Sequence, residues 1–301
     1  MSEALKGVLA IALASSVWGL SGLYYKALAH VPALEILAHR TIWSVVFFFA
    51  LLAWQGRLSL VPRLLASKEI RLVFLAALMI SANWFIFIHS IQIGMAVEAS
   101  LGYFIFPLVA VLLGAVGFGE RLGRAQWVTV LLAFVAVLVL TIGLGAAPWI
   151  ALVIAGTFGA YGFIKRRIPS GPVVSVATEV SLLAPLALAW LVGVHAGYVG
   201  AGGGAFGRGW HDTVLLIFSG IITGGPLMLM SYATKRVRLA TVGLIQYINP
   251  SLQFLVATFI FVEPVTLWHV VAFALIWTGL AIYSISALKE ENRRSAVVVG
   301  A

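Results

Sequence analysis

Three ionisable residues lie close together within a strongly apolar stretch of the chain. In Glu-Ile-Leu-Ala-His-Arg, Glu35 and His39 are four residues apart and Arg40 follows directly. On a helix, Glu35 and His39 share a face, so their side chains can hydrogen-bond and exchange a proton. Arg40 keeps its charge and can hold an anionic group such as a carboxylate. The cluster predicts either a binding and coupling site or an ion-paired set that only holds helices together.

Other polar residues interrupt later apolar runs. Asn83-Trp84 lies in the middle of one run, Glu98 begins the next, and Glu179 enters a later one. An ionisable group inside a membrane helix bundle costs about 2.5–3.5 kcal/mol, so each carboxylate is a candidate functional residue. We expect Asn83 and Trp84 to contact a bound molecule, and Glu35, His39 and Glu98 to act as coupling groups. The alternative is that Asn83 only bridges two helices and Trp84 only packs.

Two prolines lie within apolar runs, and each removes the donor for the carbonyl four residues earlier. These carbonyls belong to Tyr103, four residues before Pro107, and to Gln246, four residues before Pro250. Backbone opened in this way is tolerated in a membrane where it lines a cavity. The alternative is a kink that serves packing alone. The residues predicted to act as hinges are Pro107 and Pro250, and those predicted to line a cavity with Arg40, Asn83 and Trp84 are Tyr103, Gln246, Tyr247 and Asn249.

The elements that must position these residues are membrane helices. Hydrophobic residues make up 62% of the chain and charged residues 10%, against roughly a quarter charged in ordinary soluble domains. A helix needs about 20 apolar residues to cross a bilayer. The sequence predicts an all-α integral membrane protein with ten such spans, near 7–27, 33–54, 71–92, 97–118, 124–143, 148–164, 173–194, 213–234, 240–262 and 266–287.

An internal repeat relates the two halves of the chain. Pro107 falls on Pro250 at an offset of 143 residues, and Glu120 falls on Glu263 in the same register. Because five spans are an odd number, the second copy must enter the membrane from the opposite side, an arrangement found in secondary transporters. We therefore predict a first five-helix repeat over 1–145, an inverted second repeat over 146–288 and a cytoplasmic tail over 289–301. Glu120 and Glu263 precede helices and are predicted to cap them.

The nineteen Lys and Arg residues lie mostly in the gaps on one side of the predicted membrane, which places both termini in the cytoplasm. This scattered arrangement argues against nucleic-acid binding, although the net charge is +9. The glycine-rich segment 195–211 is predicted to be a flexible external loop. Cysteine is absent, and no zinc-protease, serine-hydrolase or phosphate-loop motif occurs, so we predict no catalytic residue, no metal site and no cofactor.

Four segments resemble one transporter group. They are Glu35-Ile-Leu-Ala-His-Arg40, Asn83-Trp84-Phe85, Glu98-Ala-Ser-Leu-Gly-Tyr-Phe-Ile-Phe-Pro107 and Gln246-Tyr-Ile-Asn-Pro250. With ten spans and two halves, they resemble the RarD group of the EamA family, in the drug/metabolite transporter superfamily. The resemblance covers essentially the whole chain and implies a bacterial inner-membrane protein. One departure is Phe106, where the group is expected to carry Asn before the first proline.

Together these features predict a secondary transporter working by alternating access, and the resemblance implies an exporter of small metabolites, amino-acid-like compounds or drugs. Its partners are a small-molecule substrate and membrane lipid. A channel or a membrane scaffold is the main alternative, and an intramembrane enzyme is a lesser one because no nucleophile or metal set occurs at one depth. The sequence does not identify the substrate.

Overall fold

The chain folds into helices in the computed structural model, which describes residues 2–119, 122–199, 203–237 and 239–299. No strand occurs within these ranges. The helices in chain order are α1 Glu3–Ala27, α2 Ala33–Trp54, α3 Leu60–Leu65, α4 Ile70–Gln92, α5 Ala96–Phe118, α6 Arg124–Leu144, α7 Trp149–Lys165, α8 Pro172–His195, α9 Trp210–Ala233, α10 Leu239–Gln246, α11 Ile248–Leu255 and α12 Leu267–Val299. A π-helical segment, Val256–Ile260, follows α11. This architecture suits a bilayer, where every backbone group must find its partner within the protein.

Eight helices of the described chain are long and apolar enough to cross a membrane, namely α1, α2, α4, α5, α6, α8, α9 and α12. The chain is thus an all-α, multi-pass membrane protein. The predicted span at 148–164 corresponds to α7, an apolar helix of 17 residues. The predicted span at 240–262 is divided among α10, α11 and the π-helical segment. The count of ten spans therefore remains a prediction.

Helices from the two predicted repeats pack extensively against one another. Helix α1 packs against α9 and α11, whereas α7 packs against α4 and α5. Helix α2 packs against α8 and α9, and α6 packs against α12. The largest buried hydrophobic cluster includes Ile36, Phe104, Ile154 and Ile276, so one apolar core joins both halves.

Helix α6 forms part of the lipid-facing surface. Few of its residues are buried, and Leu131, Phe134 and Ile142 are exposed. Because lipid tails are as apolar as a protein core, exposing such side chains to lipid carries little cost in free energy. The tryptophans predicted to lie near span ends are also exposed, which suits interfacial positions; they are Trp54, Trp127, Trp149, Trp210 and Trp268.

Two carboxylates cap helices of the opposite half. Glu263 accepts hydrogen bonds from the backbone N–H groups of Ala96 and Val97, both at 2.8 Å, at the start of α5. A capping role is predicted from the sequence, but the helix that Glu263 caps is α5 of the first half and not α12, which follows it in the chain. Val262, directly before it, has φ 56°, a left-handed conformation that is rare for a β-branched residue. The carboxylate bonds hold this turn in place. Glu120, its predicted counterpart, lies outside the described residues.

Glu98, predicted to be a coupling group, is placed at a helix N-terminus by the fold. Its Oε1 accepts hydrogen bonds from the N–H of Ile150 at 2.8 Å and from that of Ala151 at 3.4 Å. These N–H groups belong to the first turn of α7, where no intrahelical acceptor is available and negative charge is favoured. This geometry favours a capping role for Glu98.

The remaining predictions about segments have mixed outcomes. The segment 195–211 is predicted to be a flexible loop, whereas its described residues, 195–199 and 203–211, include Ala205 and Phe206, both packed against the main hydrophobic core. Residues 289–299 of the predicted tail continue α12 as helix, and residues 300–301 lie outside the described part.

Candidate functional site

A cavity of about 380 Å³ lies where α1, α5, α7, α10, α11 and α12 meet. This volume is within the roughly 300–1,000 Å³ typical of small-molecule sites. The residues that line it are Ser15, Trp18, Tyr103, Phe106, Pro107, Phe158, Gly243, Gln246, Tyr247, Asn249, Pro250, Tyr283 and Ser284. The cavity is therefore built from both halves of the chain.

Six of the residues singled out in the sequence come together in this cavity. They are the two prolines and the four residues predicted to line a cavity beside them, namely Pro107, Pro250, Tyr103, Gln246, Tyr247 and Asn249. The two prolines differ in effect. Helix α5 continues through Pro107, whereas the helix before Pro250 is interrupted between Gln246 and Ile248. Only the second proline thus accompanies a break in the helix.

Several polar atoms at the cavity wall are available to a ligand. Asn249 Oδ1 accepts a hydrogen bond from Gln253 at 2.9 Å, but Asn249 Nδ2 has no partner among the described residues. The amide nitrogen of Gln246 makes only a long contact of 3.4 Å with the sulfur of Met230, and its oxygen has no described partner. Ser15 Oγ is buried without a hydrogen bond in this part of the chain. These atoms could each bind a polar group of a substrate.

Arg40 lies outside the lining of this cavity, in a separate cluster between α2, α1, α4 and α9. Its Nε donates to Thr223 Oγ1 at 2.8 Å, and its Nη1 donates to the hydroxyl of Tyr25 at 2.5 Å. The guanidinium carbon lies 3.9 Å from the centre of the Trp84 ring. Within the described chain no carboxylate forms an ion pair with Arg40, although this side chain is buried. Two hydroxyl groups and cation–π attraction to the Trp84 ring therefore stabilise the positive charge in place of a carboxylate.

Glu35 and His39 both contact the chain segment 205–206, which folds in from the loop between α8 and α9. Glu35 is buried and its Oε1 accepts the Ala205 N–H at 2.6 Å. The His39 ring is stacked on the Phe206 ring with a centroid distance of 4.9 Å. The Trp43 ring lies 6.2 Å from the Phe206 ring. His39 Nε2 is buried and has no hydrogen-bond partner among the described residues. The structure records no hydrogen bond between Glu35 and His39, which each turn toward the loop.

Asn83 joins three helices. Its Nδ2 donates to the carbonyl of Ile154 at 3.0 Å and to Thr157 Oγ1 at 3.1 Å. Its Oδ1 accepts from the hydroxyl of Tyr103 at 2.8 Å. With every strong hydrogen-bonding group of the amide used between α4, α5 and α7, the geometry favours a bridging role that orients Tyr103 at the cavity wall.

The second half contains an ion pair between a half-buried lysine and a buried carboxylate. Lys165 Nζ lies 2.6 Å from Glu179 Oε1 and also donates to Ser175 Oγ. Tyr161 donates to Glu179 Oε2 at 3.1 Å, and its ring is stacked parallel to Phe158 at the cavity wall. The pair thus contacts the cavity only through two aromatic rings.

Some participating residues carry little signal in the sequence. Tyr25 and Thr223 hold Arg40, and Phe158 and Tyr283 line the cavity, but each is an ordinary residue of an apolar helix. Phe206 lies in a glycine-rich loop, where an isolated aromatic residue was the only available sign. Their roles depend on contacts between residues far apart in the chain, which no local pattern reports.

Comparison with known proteins supports a common family. The model of the EamA-like transporter family matches residues 5–142. The chain is 41% identical to "Protein RarD" of Streptomyces exfoliatus, with 94% of this chain and 89% of the relative covered. It is 37% identical to "Uncharacterized transporter YojE" of Bacillus subtilis, with 96% of each covered. It is 31% identical to "Chloramphenicol-sensitive protein RarD" of Pseudomonas aeruginosa, with 90% and 92% covered.

A solved crystal structure shares the fold, with a TM-score of 0.59 and 20% identity over 93% of this chain and 98% of the other. At this identity the likeness concerns the fold alone. The sequence relatives carry the family assignment because they match at 31–41% identity over nearly their full lengths. The chain belongs to the RarD group of the EamA-like transporter family.

Proposed function

We propose that this protein is a secondary transporter that moves a small molecule across the bacterial inner membrane by alternating access, with the cavity at Gln246 and Asn249 as its substrate site. The observation that carries the proposal is the position of this cavity at the meeting point of helices from both halves, beside the broken helix α10–α11. Broken helices beside a central site are a recurrent feature of secondary transporters.

The packing supports two inverted five-helix halves. The repeat makes α1 correspond to α7, α4 to α9 and α5 to α10–α11. The contact of α1 with α11 is then the counterpart of the contact of α7 with α5. The contact of α1 with α9 is likewise the counterpart of the contact of α7 with α4. Such exchanged pairs are what a twofold axis between halves produces. The family model matches 5–142, which is close to the first predicted repeat.

The proposed orientation, with both termini in the cytoplasm, makes this an inward-facing state. Tyr283 and Ser284 lie at the end of the span in α12, at the cytoplasmic side, and both line the cavity. On the opposite side, Ala205 and Phe206 cover the start of α2 through their contacts with Glu35 and His39. The cavity then opens to the cytoplasm, where an exporter collects its substrate.

We assign Arg40, Glu35 and His39 to an outer closure, by which we mean the contacts of α2 with segment 205–206 and with Tyr25 on the external side of the cavity. They do not make the first contact with substrate. Arg40 binds Tyr25, and the edge of the Tyr25 ring meets Phe87, which in turn packs edge-on against Tyr103. This chain of contacts links the outer cluster to the cavity wall. Protonation of Glu35 or His39 would weaken the closure, which keeps both as candidate coupling groups.

Site-directed labelling tests the orientation of the cavity, and the absence of native cysteine makes single-cysteine variants directly interpretable. In Ser284→Cys, whose half-buried side chain lines the cavity, a membrane-impermeant maleimide should label the cavity in inside-out vesicles and not in intact cells. The matched variant is Tyr198→Cys, whose position is 86% exposed in the loop after α8 and should show the reverse pattern. Labelling of Ser284→Cys from outside at an equal rate would contradict the inward-facing assignment.

Transport itself is tested in proteoliposomes. Candidate compounds should enter with a rate that saturates with concentration, and a bound compound should protect Ser284→Cys from the maleimide. A flux that rises linearly without saturation would instead favour a channel.

A further inference from the structure

The chemical character of the cavity wall indicates which molecules it accepts. Six aromatic side chains line it, namely Trp18, Tyr103, Phe106, Phe158, Tyr247 and Tyr283. Within the described part of the chain, no Asp, Glu, Lys, Arg or His lines the cavity. The other polar groups at the wall belong to two amides and two serines, Gln246, Asn249, Ser15 and Ser284.

The buried charges of the protein are satisfied elsewhere. Lys165 and Glu179 neutralise each other 2.6 Å apart, behind the stacked rings of Tyr161 and Phe158. Arg40 is occupied by Tyr25, Thr223 and the face of Trp84, outside the cavity lining. A charged substrate entering this cavity would lose its hydration without gaining an ion pair, which is strongly unfavourable.

A neutral substrate, in contrast, finds partners for each part of its structure. Aromatic pairs favour offset or edge-to-face contact at 4.5–7 Å between centroids, and Phe158 already makes such contacts with Phe106 at 4.7 Å and Tyr103 at 5.8 Å. Asn249 Nδ2 can donate to a carbonyl, and Gln246 Oε1 can accept from an amide or hydroxyl. Ser15 Oγ, buried without a described partner, can do either.

We infer that the substrate is an uncharged molecule with at least one aromatic ring and with amide or hydroxyl groups, and that the cavity selects against net charge and against zwitterions. This inference rests on the proposed function only in taking the cavity as the substrate site. It deepens that proposal by excluding free amino acids and organic anions from the substrate class.

A set of five probes of similar size distinguishes the effect of an aromatic ring on binding from the effect of charge. At about pH 6, N-acetyl-phenylalaninamide is neutral and aromatic, phenylalaninamide is cationic, N-acetyl-phenylalanine is anionic and phenylalanine is a zwitterion. N-acetyl-leucinamide is neutral without a ring. Isothermal titration of the purified full-length protein in detergent should show the neutral aromatic probe binding at least tenfold more tightly than each of the other four.

Variants of the cavity wall place this binding. Trp18→Leu should weaken binding of N-acetyl-phenylalaninamide about three- to tenfold, because an aromatic contact is lost. Gln246→Glu should reverse the preference, so that phenylalaninamide becomes the tightest ligand. The control Trp54→Leu removes a tryptophan that is 84% exposed at the end of α2 and should leave all affinities unchanged. Circular dichroism and gel filtration establish that each variant remains folded.

Three results would overturn the inference. They are tighter binding of N-acetyl-phenylalanine or phenylalanine than of the neutral probe, equal binding of the leucine probe, and no measurable binding of any probe. If N-acetyl-phenylalanine binds best and loses this advantage in Arg40→Gln, the anion is held by Arg40 instead. Saturable proteoliposome transport of a charged compound would leave the proposed transport function intact while refuting this substrate class. Labelling of Ser284→Cys from outside would instead count against the proposed orientation.

Discussion

At the scale of single residues, the polar side chains within the helix bundle differ in how much of their hydrogen-bonding capacity other protein groups already use. Asn83 has used its amide groups between helices, and Glu98 holds the start of α7. Gln246 and Asn249 retain free capacity and face a cavity. A buried polar side chain is therefore best assigned to binding when part of its hydrogen-bonding capacity remains unused.

Arg40 is the residue whose replacement should be most informative. Arg40→Lys keeps the charge, but an ammonium group cannot stack flat on Trp84 while donating in two fixed directions to Tyr25 and Thr223. We expect unfolding to become easier by about 1.5–3 kcal/mol, the worth of a hydrogen bond from a charged group, and transport to slow at least tenfold. The measurements are thermal unfolding in detergent and initial transport rates.

The matched control for Arg40 is Arg63→Lys, an exposed position on α3. It should change neither stability nor rate. If Arg40→Lys behaves like this control, the planar guanidinium geometry has no part in the outer closure.

At the scale of helices and loops, the carboxylate caps connect the two halves at helix ends. Glu263→Ala should leave the N–H groups of Ala96 and Val97 without acceptors and release the left-handed turn at Val262. We expect the free energy of unfolding to fall by about 0.5–2 kcal/mol, as for other helix caps, and thermal unfolding measures this change. Glu69→Ala is the control, because Glu69 precedes α4 without a side-chain capping bond, and an equal loss there would rule out a specific capping effect.

The loop segment 205–206 should control access from outside. Ser44, one helical turn beyond Arg40, is fully buried, so Ser44→Cys should resist an external thiol reagent. Adding Phe206→Ala removes the ring stacked on His39 and should speed this labelling about tenfold. The control Tyr198→Ala alters an exposed residue of the same loop and should have no effect. Equal labelling in all three proteins would show that Phe206 is not part of the closure.

At the scale of the whole molecule, each half has a cation within the helix bundle that connects its first two helices through side-chain contacts. Arg40 on α2 donates to Tyr25 on α1, and Lys165 on α7 pairs with Glu179 on α8. Arg40 is held by hydroxyl and aromatic groups, whereas Lys165 has a carboxylate partner. The charge of Lys165 is therefore neutralised within its own cluster, whereas, among the described residues, that of Arg40 is not. This difference agrees with our assignment of the movable closure to the Arg40 side.

Much of this architecture could be predicted because a bilayer imposes simple rules on a sequence. Long apolar runs separated by basic residues determined an all-helical membrane protein, and the offset of 143 residues between Pro107 and Pro250 indicated two related halves. The same register pointed to Tyr103 and Gln246, and both line the cavity. These signals are local or periodic, so a linear reading can detect them.

The sequence by itself determined the membrane class, the family resemblance and which prolines and amides deserved attention. Only the tertiary structure decided that Arg40 lies apart from the cavity, that Glu98 caps a helix and that Phe206 covers His39. The reason is physical. Whether a buried polar group binds substrate depends on whether another helix already satisfies it, and that partner is often more than fifty residues away, as Ala205 is from Glu35.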